Sequence, residues 1–399
     1  MGLEQIFITI AILLGGARIL GEIFRRLGQP ALGGELLAGM ILGPTILGMV
    51  ALNQDLELVS SIAIFFVILF IGLEMDLREI RRVGKISIVI SITSLIIPFI
   101  IGYEISILFG LGFVESLFVG LLLSVTSVPV SAIILLELGI LKTRIGNTVI
   151  SVAVIDDIIS ILILTVILQI SVSEQMIPDI HELGISLLKI TGFLIGIALF
   201  TYAIHKINFS FPHWLESFFA KTKTREAAFG IFIVLAITLS IIADLAGLHF
   251  IIGAFFAGLI FSRKILGKKE SDKTYGIMSG ITFGFFAPLF FAIIGMKFSG
   301  QSIESSLILV ILLISTGILG KTIGGYIGTR VCGFQKIESI TIASLLNGRG
   351  TVGLAITSLA YSSGILDLTL FSVCVVICFV TTIMTPIISK PLIRKCFPQ

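Results

Sequence analysis

Charged residues are scarce in this chain of 399 residues: only 13 % are Asp, Glu, Lys or Arg, about half the share that a soluble domain carries. Hydrophobic residues make up 56 % of the chain, and the mean hydropathy is +1.15. This balance excludes an ordinary water-soluble globular protein. Only four cysteines are present, none has a histidine at metal-ligand spacing, and Cys374 and Cys378 lie one helical turn apart in an apolar run. We therefore interpret these two cysteines as packing residues.

The two ends of the chain carry further expectations. The first residues lack the basic region of a cleavable leader, and the first apolar run is too long for one. Only the stretch from Lys390 to Gln399 follows the last apolar run. We therefore expect neither a signal peptide nor a soluble nucleotide-binding domain.

The apolar residues are grouped in runs of about 20, each long enough to cross a bilayer as a helix. The 41 glycines fit this pattern, because small residues let membrane helices approach closely. The runs predict an all-α integral membrane protein with 13 transmembrane helices. They cover roughly residues 3–24, 31–50, 57–73, 85–110, 115–138, 146–171, 184–206, 226–246, 248–263, 276–297, 303–330, 337–361 and 366–391.

The loops between the runs differ in charge. If the first residue is outside, 22 of the 27 Lys and Arg residues fall in loops on the inner side, whereas the outer loops carry acidic residues. This asymmetry is the positive-inside signal. It predicts an odd number of spans in the plasma (inner) membrane, with the N-terminus outside and the C-terminus in the cytoplasm.

A weak internal repeat relates the two halves of the chain. GELLAGMIL (34–42) matches GAFFAGLIF (253–261), and FIGLEMDL (70–77) aligns with IIGMKFSG (293–300). An odd number of predicted helices separates equivalent positions, so the halves must run in opposite directions through the membrane. The sequence therefore predicts the inverted-repeat architecture of secondary transporters.

Two apolar runs contain residues that interrupt helices, at corresponding positions of the proposed halves. The fifth reads SVTSVPVSA (124–132), with Thr126, Ser127 and Pro129 inside the span, and the twelfth reads LLNGRGTVGLA (345–355), with Asn347 and Arg349. Inverted-repeat transporters break one helix of each half near the midplane and offer the exposed backbone to substrate. We predict two broken, crossing helices here. A proline kink and a glycine-rich packing face would be the plainer explanation.

Adjacent carboxylates stand in the middle of the sixth run: Asp156 and Asp157 in AVIDDIIS. A charge at the centre of a membrane helix costs about 2.5–3.5 kcal/mol on insertion scales, which is rarely tolerated without a function. Lys321, buried in the eleventh run, is the natural partner of one aspartate. Neighbours on a helix point about 100° apart, so the other can face a water-filled cavity. We expect Na⁺ and protons to compete there; a static Asp–Lys pair that joins two helices is the plainer alternative.

Four residues receive supporting roles: Glu35, Pro129, Asn347 and Arg349. Glu35 begins the second run and most simply marks its cytoplasmic end. For Arg349 we favour a structural role, in which it balances helix C-terminal dipoles or pairs with an acid.

Taken together, these motifs resemble the second family of monovalent cation:proton antiporters, and most closely the NapA-like bacterial Na⁺/H⁺ antiporters. The resemblance covers almost the whole chain and rests on RRLGQPALGGELLAGMILGP (25–44), FFVILFIGLEMD (65–76), TSVPVSA, AVIDD (153–157), GAFFAGLI (253–260), APLFFAIIGM (287–296), the GK before residue 322, and NGRGTVGLAI (347–356). It implies the NhaA/NapA-like fold. Many relatives have Glu where this chain has Thr351, which leaves the partner of Arg349 open.

The resemblance also implies roles for the site. Asp157 is the carboxylate that binds Na⁺ or a proton, Thr126 and Ser127 lie beside the ion, and Asp156 pairs with Lys321. This combination is typical of the electrogenic branch, which exchanges two protons for one Na⁺ or Li⁺ and serves pH homeostasis.

Family members are homodimers in which a core domain moves like an elevator. Carried over, residues 1–84 and 211–300 form a dimerisation domain, 85–172 and 301–399 the core transport domain, and 173–210 a linker helix. No cofactor, enzymatic activity or nucleic-acid partner is expected.

Three alternatives stay open at this point. A K⁺/H⁺ antiporter would use the same scaffold, because cavity size and ligand geometry set ion selectivity. A cation channel is a further rival, although it has no need of a titrating Asp–Lys pair. An intramembrane aspartyl protease also needs two carboxylates, but they must face each other from separate helices, and no GxGD motif is present.

Overall fold

The computed structural model describes residues 3–74, 85–172, 227–245, 250–260, 268–300 and 306–397, and all regular structure in these ranges is helical. One π-helical turn covers Thr282–Phe286. The fifteen α-helices in the described ranges are α1 Leu3–Arg26, α2 Ala31–Leu42, α3 Gln54–Glu74, α4 Lys85–Leu108, α5 Phe113–Ser124, α6 Val128–Glu137, α7 Arg144–Val172, α8 Ala227–Leu245, α9 Phe250–Ile260, α10 Lys268–Ile281, α11 Ala287–Lys297, α12 Leu307–Val331, α13 Lys336–Leu345, α14 Gly350–Ser362 and α15 Leu368–Cys396.

Twelve of the thirteen predicted runs coincide with these helices, and the seventh, 184–206, lies outside the described residues. The all-α membrane class is confirmed. Within the described ranges, eight helices are long and apolar enough to cross a membrane. The predicted run 31–50 is shorter in the structure, because α2 ends at Leu42 and Gly43 adopts an extended conformation before Pro44. A residue that precedes proline is pushed out of the helical region.

The chain divides into two compact units, and each is described by itself. The first consists of Met1–Ser60, Glu79–Ser171 and Pro288–Gln399, and it contains every predicted site residue. The second consists of Ser61–Arg78 and Val172–Ala287. The predicted division into dimerisation, linker and transport domains concerns motion and assembly, and it stays a prediction.

Glycines bring α4 and α12 together in the first unit. Gly320, Gly324 and Gly328 occupy successive turns of α12, and an added Cβ at each would meet α4 closely, at Pro98, Thr93 and Ile90 respectively. Small residues at this spacing allow two membrane helices to pack backbone to backbone. The close approach carries Lys321, on the turn between the first two glycines, into the interior of the unit.

The internal repeat is visible in the packing. In the first unit, a Cβ on Gly39 of α2 would overlap the carbonyl oxygen of Ala292 on α11. In the second unit, a Cβ on Gly258 of α9 would overlap the carbonyl oxygen of Leu69 on α3. Gly39 and Gly258 lie 219 residues apart, which is the offset between GELLAGMIL and GAFFAGLIF. Leu69 and Ala292 lie 223 residues apart, which is the offset between FIGLEMDL and IIGMKFSG. The reciprocal contacts repeat in the same way, between Gly295 and Leu36 and between Gly72 and Phe255.

Aromatic and aliphatic side chains form the core of the second unit. Phe70 of α3, Phe232 of α8 and Met278 of α10 are buried in one cluster. The Phe70 ring lies 5.3 Å from that of Tyr275, measured between centroids. This unit contains apolar packing of α3, α8, α9 and α10, whereas the polar interior groups of the predicted site belong to the first unit.

Candidate ion-exchange site

Both predicted helix breaks are present. The first separates α5 from α6 at residues 125–127, and the second separates α13 from α14 at residues 346–349. Pro129 is the second residue of α6, where a missing N–H costs nothing because the first turn has no helical acceptor for it. Gly350 has φ of +43°, and Ser127 and Val130 leave no room for a side chain on it.

The two breaks contact each other directly. The backbone N–H of Ser127 donates to the carbonyl of Gly348 at 2.7 Å. From the same side, the Ser131 hydroxyl donates to Leu345 O at 2.8 Å. A Cβ on Gly348 would press against Val130, so glycine is required for the approach. The contact brings the ends of four half-helices to one place in the first unit.

Two buried cations cover the carbonyl end of α5. Arg349 donates from Nε to Leu122 O at 3.0 Å and from Nη2 to Leu123 O at 2.6 Å. Lys321 Nζ donates to Ser124 O. The last carbonyls of a helix have no intrahelical partner and carry the negative end of its dipole, so cations stabilise them. Arg349 therefore occupies the structural position that we favoured, at a helix C-terminus.

The contacts of Arg349 also bear on Thr351. Arg349 is fully buried, and its third donor, Nη1, reaches Asn347 O at 3.2 Å. Three backbone carbonyls thus accept from its guanidinium. The acid that many relatives carry at the position of Thr351 is not needed to satisfy these donors here. The Thr351 hydroxyl instead lies 3.5 Å from Ser127 Oγ.

Neutral groups cover the carbonyl end of α13. Asn347 Nδ2 donates to Ala343 O at 3.1 Å and to Thr322 Oγ1 at 2.9 Å. The hydroxyl of Thr126 lies 3.3 Å from Leu346 O, next to the Ser131 bond to the preceding carbonyl. The side-chain oxygen of Asn347 is buried and has no hydrogen-bond partner within the described part of the chain. The carbonyl end of α13 therefore has neutral caps, whereas that of α5 has charged ones.

Asp156 lies at the centre of a buried network. Its Oδ2 accepts from Lys321 Nζ at 2.7 Å and from Thr126 Oγ1 at 2.6 Å, and its Oδ1 accepts from Ser91 Oγ at 2.5 Å. All four side chains are fully buried. A buried ion pair is tolerated when further hydrogen bonds satisfy the remaining polar atoms, and this pair meets that condition. The network joins α4, the first break, α7 and α12.

Asp157 occupies different surroundings. It is the next residue of α7, points about 100° away from Asp156 around the helix, and is also fully buried. It lies within electrostatic range of Lys321, whose direct hydrogen bonds go to Asp156 and to Ser124 O. The two carboxylates thus point to different sides of α7, but Asp157 does not face the water-filled cavity that the sequence predicted, because its side chain is fully buried in this conformation.

Glu35 is the predicted residue that the structure places elsewhere. It is the fifth residue of α2 and only 6 % exposed, so it is not a surface marker at the tip of the helix. Its side chain lies against Gly21 of α1, and its charged neighbours are Arg18 and Arg25. These residues do not belong to the aspartate network.

Sequence reasoning missed Ser91. The residue is fully buried on α4, and Ser87 and Ser94 are buried on the same helix. Serines at spacings of four and three residues form one face of a helix. Such a polar face within an apolar run is a signal that could have identified α4 as a neighbour of the aspartates.

Sequence comparisons place the chain among cation exchangers. The family model for the sodium/hydrogen exchanger transmembrane region matches residues 9–395. The probable Na⁺/H⁺ antiporter GerT of Bacillus cereus is 30 % identical over 391 residues, which cover 98 % of this chain and 99 % of GerT. The Na⁺/H⁺-K⁺ antiporter GerN of the same organism is 29 % identical and covers 98 % of this chain and 96 % of its own length.

Solved structures agree on the fold. The sodium proton antiporter MjNhaP1 from Methanocaldococcus jannaschii superposes with a TM-score of 0.70 at 16 % identity, covering 98 % of this chain and 97 % of its own. At that identity the match shows the fold alone. The comparisons give the broader exchanger family rather than the second family and NapA-like branch named from the motifs. With the matching model spanning nearly the whole sequence, this chain belongs to the sodium/hydrogen exchanger family of transmembrane proteins.

Proposed function

We propose that this chain is a secondary active antiporter that expels Na⁺, and also Li⁺, in exchange for protons. The single observation that carries the proposal is a second buried carboxylate, Asp157, beside the satisfied Asp156–Lys321 pair where two broken helices meet. The family and the names of the matching antiporters support the same function. No cofactor takes part, because the ions themselves are the substrates.

In this proposal Asp157 holds either Na⁺ or a proton, so binding of one expels the other. Thr126 and Ser127 supply the polar surroundings at the first break. Arg349, Asn347 and Pro129 hold the breaks in place. Asp156, held by three donors, positions Lys321 and the break rather than exchanging ions directly.

Transport requires motion, because Asp157 is fully buried here. The ion must reach the carboxylate from one side and leave on the other, so conformations that expose it are necessary. We infer an elevator-type movement of 85–172 and 301–399 against 1–84 and 211–300 within a homodimer. The charge of the loops supports a plasma-membrane location with the N-terminus outside.

In this proposal, Lys321 determines the net charge that each exchange cycle moves across the membrane. If the lysine gives up its proton as Na⁺ arrives and regains it afterwards, two protons enter for each Na⁺ that leaves. One net positive charge then moves inward, and the membrane potential contributes about 2.3 kcal/mol per 100 mV.

The variant Lys321→Gln tests this role. We expect it to retain Na⁺/H⁺ exchange but to lose the acceleration that an inside-negative potential gives the native protein. The measurement is proton flux in proteoliposomes with the potential clamped at zero and at an inside-negative value. Exchange that responds to voltage as strongly as the native protein's would show that Lys321 is not the second proton carrier.

A K⁺/H⁺ antiporter is the second candidate. It is favoured by the match to GerN, which is named for K⁺ as well as Na⁺. The contacts of the site contain no feature that separates the two ions, since both take oxygen ligands.

The deciding experiment uses purified protein in vesicles that carry an internal pH dye and an imposed pH gradient. Na⁺, Li⁺ and K⁺ are added in turn. We expect Na⁺ and Li⁺ to dissipate the gradient and K⁺ to do so weakly or not at all. A response to K⁺ alone would favour the second candidate, and no response to any of the three would contradict the proposed function.

A further inference from the structure

Ser160 lies one turn of α7 beyond the two aspartates, and its hydroxyl is buried. The residue is fully buried, and its Oγ has no hydrogen-bond partner within the part of the chain that the structure describes. Other hydroxyls of α7 behave differently: Thr148 donates to Arg144 O and Thr165 to Ile161 O, each at 2.8 Å. A buried hydroxyl without a partner costs about 1–3 kcal/mol. Its retention therefore needs a reason.

The position of Ser160 supplies one. Residues three apart on a helix are neighbours, with Cβ atoms about 5–6 Å apart, so Ser160 adjoins Asp157. The Cα–Cβ bond of a helical residue tilts towards the helix N-terminus, which directs the serine side chain back towards the aspartates. Asp156 already accepts from three donors. Asp157 is the carboxylate beside which the hydroxyl of Ser160 offers a further oxygen.

We propose that Ser160 Oγ is a ligand of the cation that binds Asp157. The inference rests on the proposed function. A hard cation is held by several oxygen atoms, and the geometry of those oxygens determines which ion fits. A neutral hydroxyl offers a lone pair to Na⁺ without adding charge, and it can also accept a hydrogen bond from protonated Asp157. Because a contact with a charged group is worth more than a hydrogen bond between neutral groups, we expect Ser160 to affect the Na⁺ affinity more than the proton affinity.

The test compares Ser160→Ala with the native protein in proteoliposomes. Losing one oxygen contact to a charged group weakens binding by about tenfold, so we expect the apparent KM for Na⁺ to rise about tenfold with kcat nearly unchanged. In detergent, the Na⁺-dependent rise in melting temperature should require about tenfold more Na⁺. Ser160→Thr keeps the hydroxyl and should keep both values close to native.

Ser389→Ala on α15 is the matched control, since Ser389 is also fully buried with an Oγ that has no hydrogen-bond partner in the described residues. We expect it to leave Na⁺ affinity native. Ser160→Cys, of similar volume with sulfur in place of oxygen, should show the same loss as Ser160→Ala and serves if the alanine variant does not fold.

The outcomes separate this inference from the proposed function. If the native protein exchanges Na⁺ for protons but Ser160→Ala keeps its Na⁺ KM and melting response within twofold of native, Ser160 is not a ligand. If Ser389→Ala weakens Na⁺ binding as much as Ser160→Ala, the effect is general to buried serines and the inference is overturned. If the native protein shows no Na⁺-driven proton flux, the proposed function fails first.

Discussion

The carbonyl ends of the two helix breaks in the first unit are capped differently, by charged side chains at the first break and by neutral side chains at the second. At the first, the carbonyl end of α5 is covered by Arg349 and Lys321. At the second, the carbonyl end of α13 is covered by the amide of Asn347 and by the hydroxyls of Ser131 and Thr126. The repeat thus reproduces the backbone but not the charges. Lys321 and Arg349 both donate to carbonyls at the end of α5, at the first break.

The difference in capping distinguishes a break that is linked to the charged groups of the candidate site from one whose helix end is capped by neutral side chains. Neutral side chains cap the last carbonyls of α13, and Arg349 donates to one further carbonyl of the second break, that of Asn347. At the first break the caps are charged. One of them, the Lys321 ammonium, also forms an ion pair with Asp156, with 2.7 Å between Nζ and Oδ2. A change of charge at Asp156 therefore acts on the end of α5 through the Lys321 ammonium, whereas it acts on the end of α13 through the neutral hydroxyl of Thr126, which lies near both Asp156 and Leu346 O.

Removing the cation that serves three carbonyls should have the largest effect on stability. We expect Arg349→Met to lower stability by about 4 kcal/mol, because each buried carbonyl left without a donor costs about 1–3 kcal/mol. Thermal melting in detergent measures the loss. Arg349→Lys should recover part of it, since one ammonium cannot span three acceptors.

Arg330→Met is the control for this change. Arg330 is exposed at the end of α12 and donates to the single carbonyl of Phe334. We expect the melting temperature of the Arg330→Met protein to stay close to that of the native protein. A loss for Arg349→Met no greater than for Arg330→Met would show that the first break does not depend on its cationic cap.

Next in size is Asp156→Asn. It leaves the Lys321 ammonium buried without its carboxylate, and breaking a buried pair costs about 3–5 kcal/mol. We expect about 3 kcal/mol, at the low end, because the amide oxygen still accepts one hydrogen bond. Melting in detergent checks this, and an unchanged melting temperature would argue that the Asp156–Lys321 pair contributes nothing to the fold.

The smallest effect is expected at the neutral break. Ser131→Ala removes the hydroxyl that donates to Leu345 O, and we expect a loss of about 1 kcal/mol. Ser106→Ala is the matched control, since that buried hydroxyl donates to Gly102 O within its own helix and should cost less. If Ser131→Ala destabilised the protein as much as Arg349→Met, the contrast between charged and neutral caps would not hold.

Much of this arrangement was predictable from the sequence. Interruptions at Pro129 and around Gly348 and Gly350 identified both broken helices, because proline and glycine act on the backbone locally. The isolated charges at Asp156, Asp157 and Lys321 indicated the candidate site, since an apolar run tolerates few charges. Helix lengths followed from hydropathy, with α2 shortened by Pro44.

The unpredicted part lies in which groups meet. Ser91 was not expected at Asp156, because serine is common in membrane helices and its partner lies 65 residues away in the sequence. The buried placement of Glu35 depends on the packing of α2 against α1 through Gly21. Arg349 donates to carbonyls of α5 that lie some 226 residues away in the sequence. Because every residue has a backbone carbonyl, the side chains of α5 do not indicate which of its residues accept.

The most direct test of the account is Na⁺-driven proton flux in proteoliposomes that contain Asp157→Asn, beside native protein and Glu115→Gln, an acid in the first turn of α5. The amide is nearly isosteric but can hold neither a proton nor Na⁺ by charge. We expect flux from the native and Glu115→Gln proteins, and none from Asp157→Asn although it folds with a native melting temperature. Sustained Na⁺-dependent flux from Asp157→Asn would contradict the assignment of Asp157 as the exchanging carboxylate.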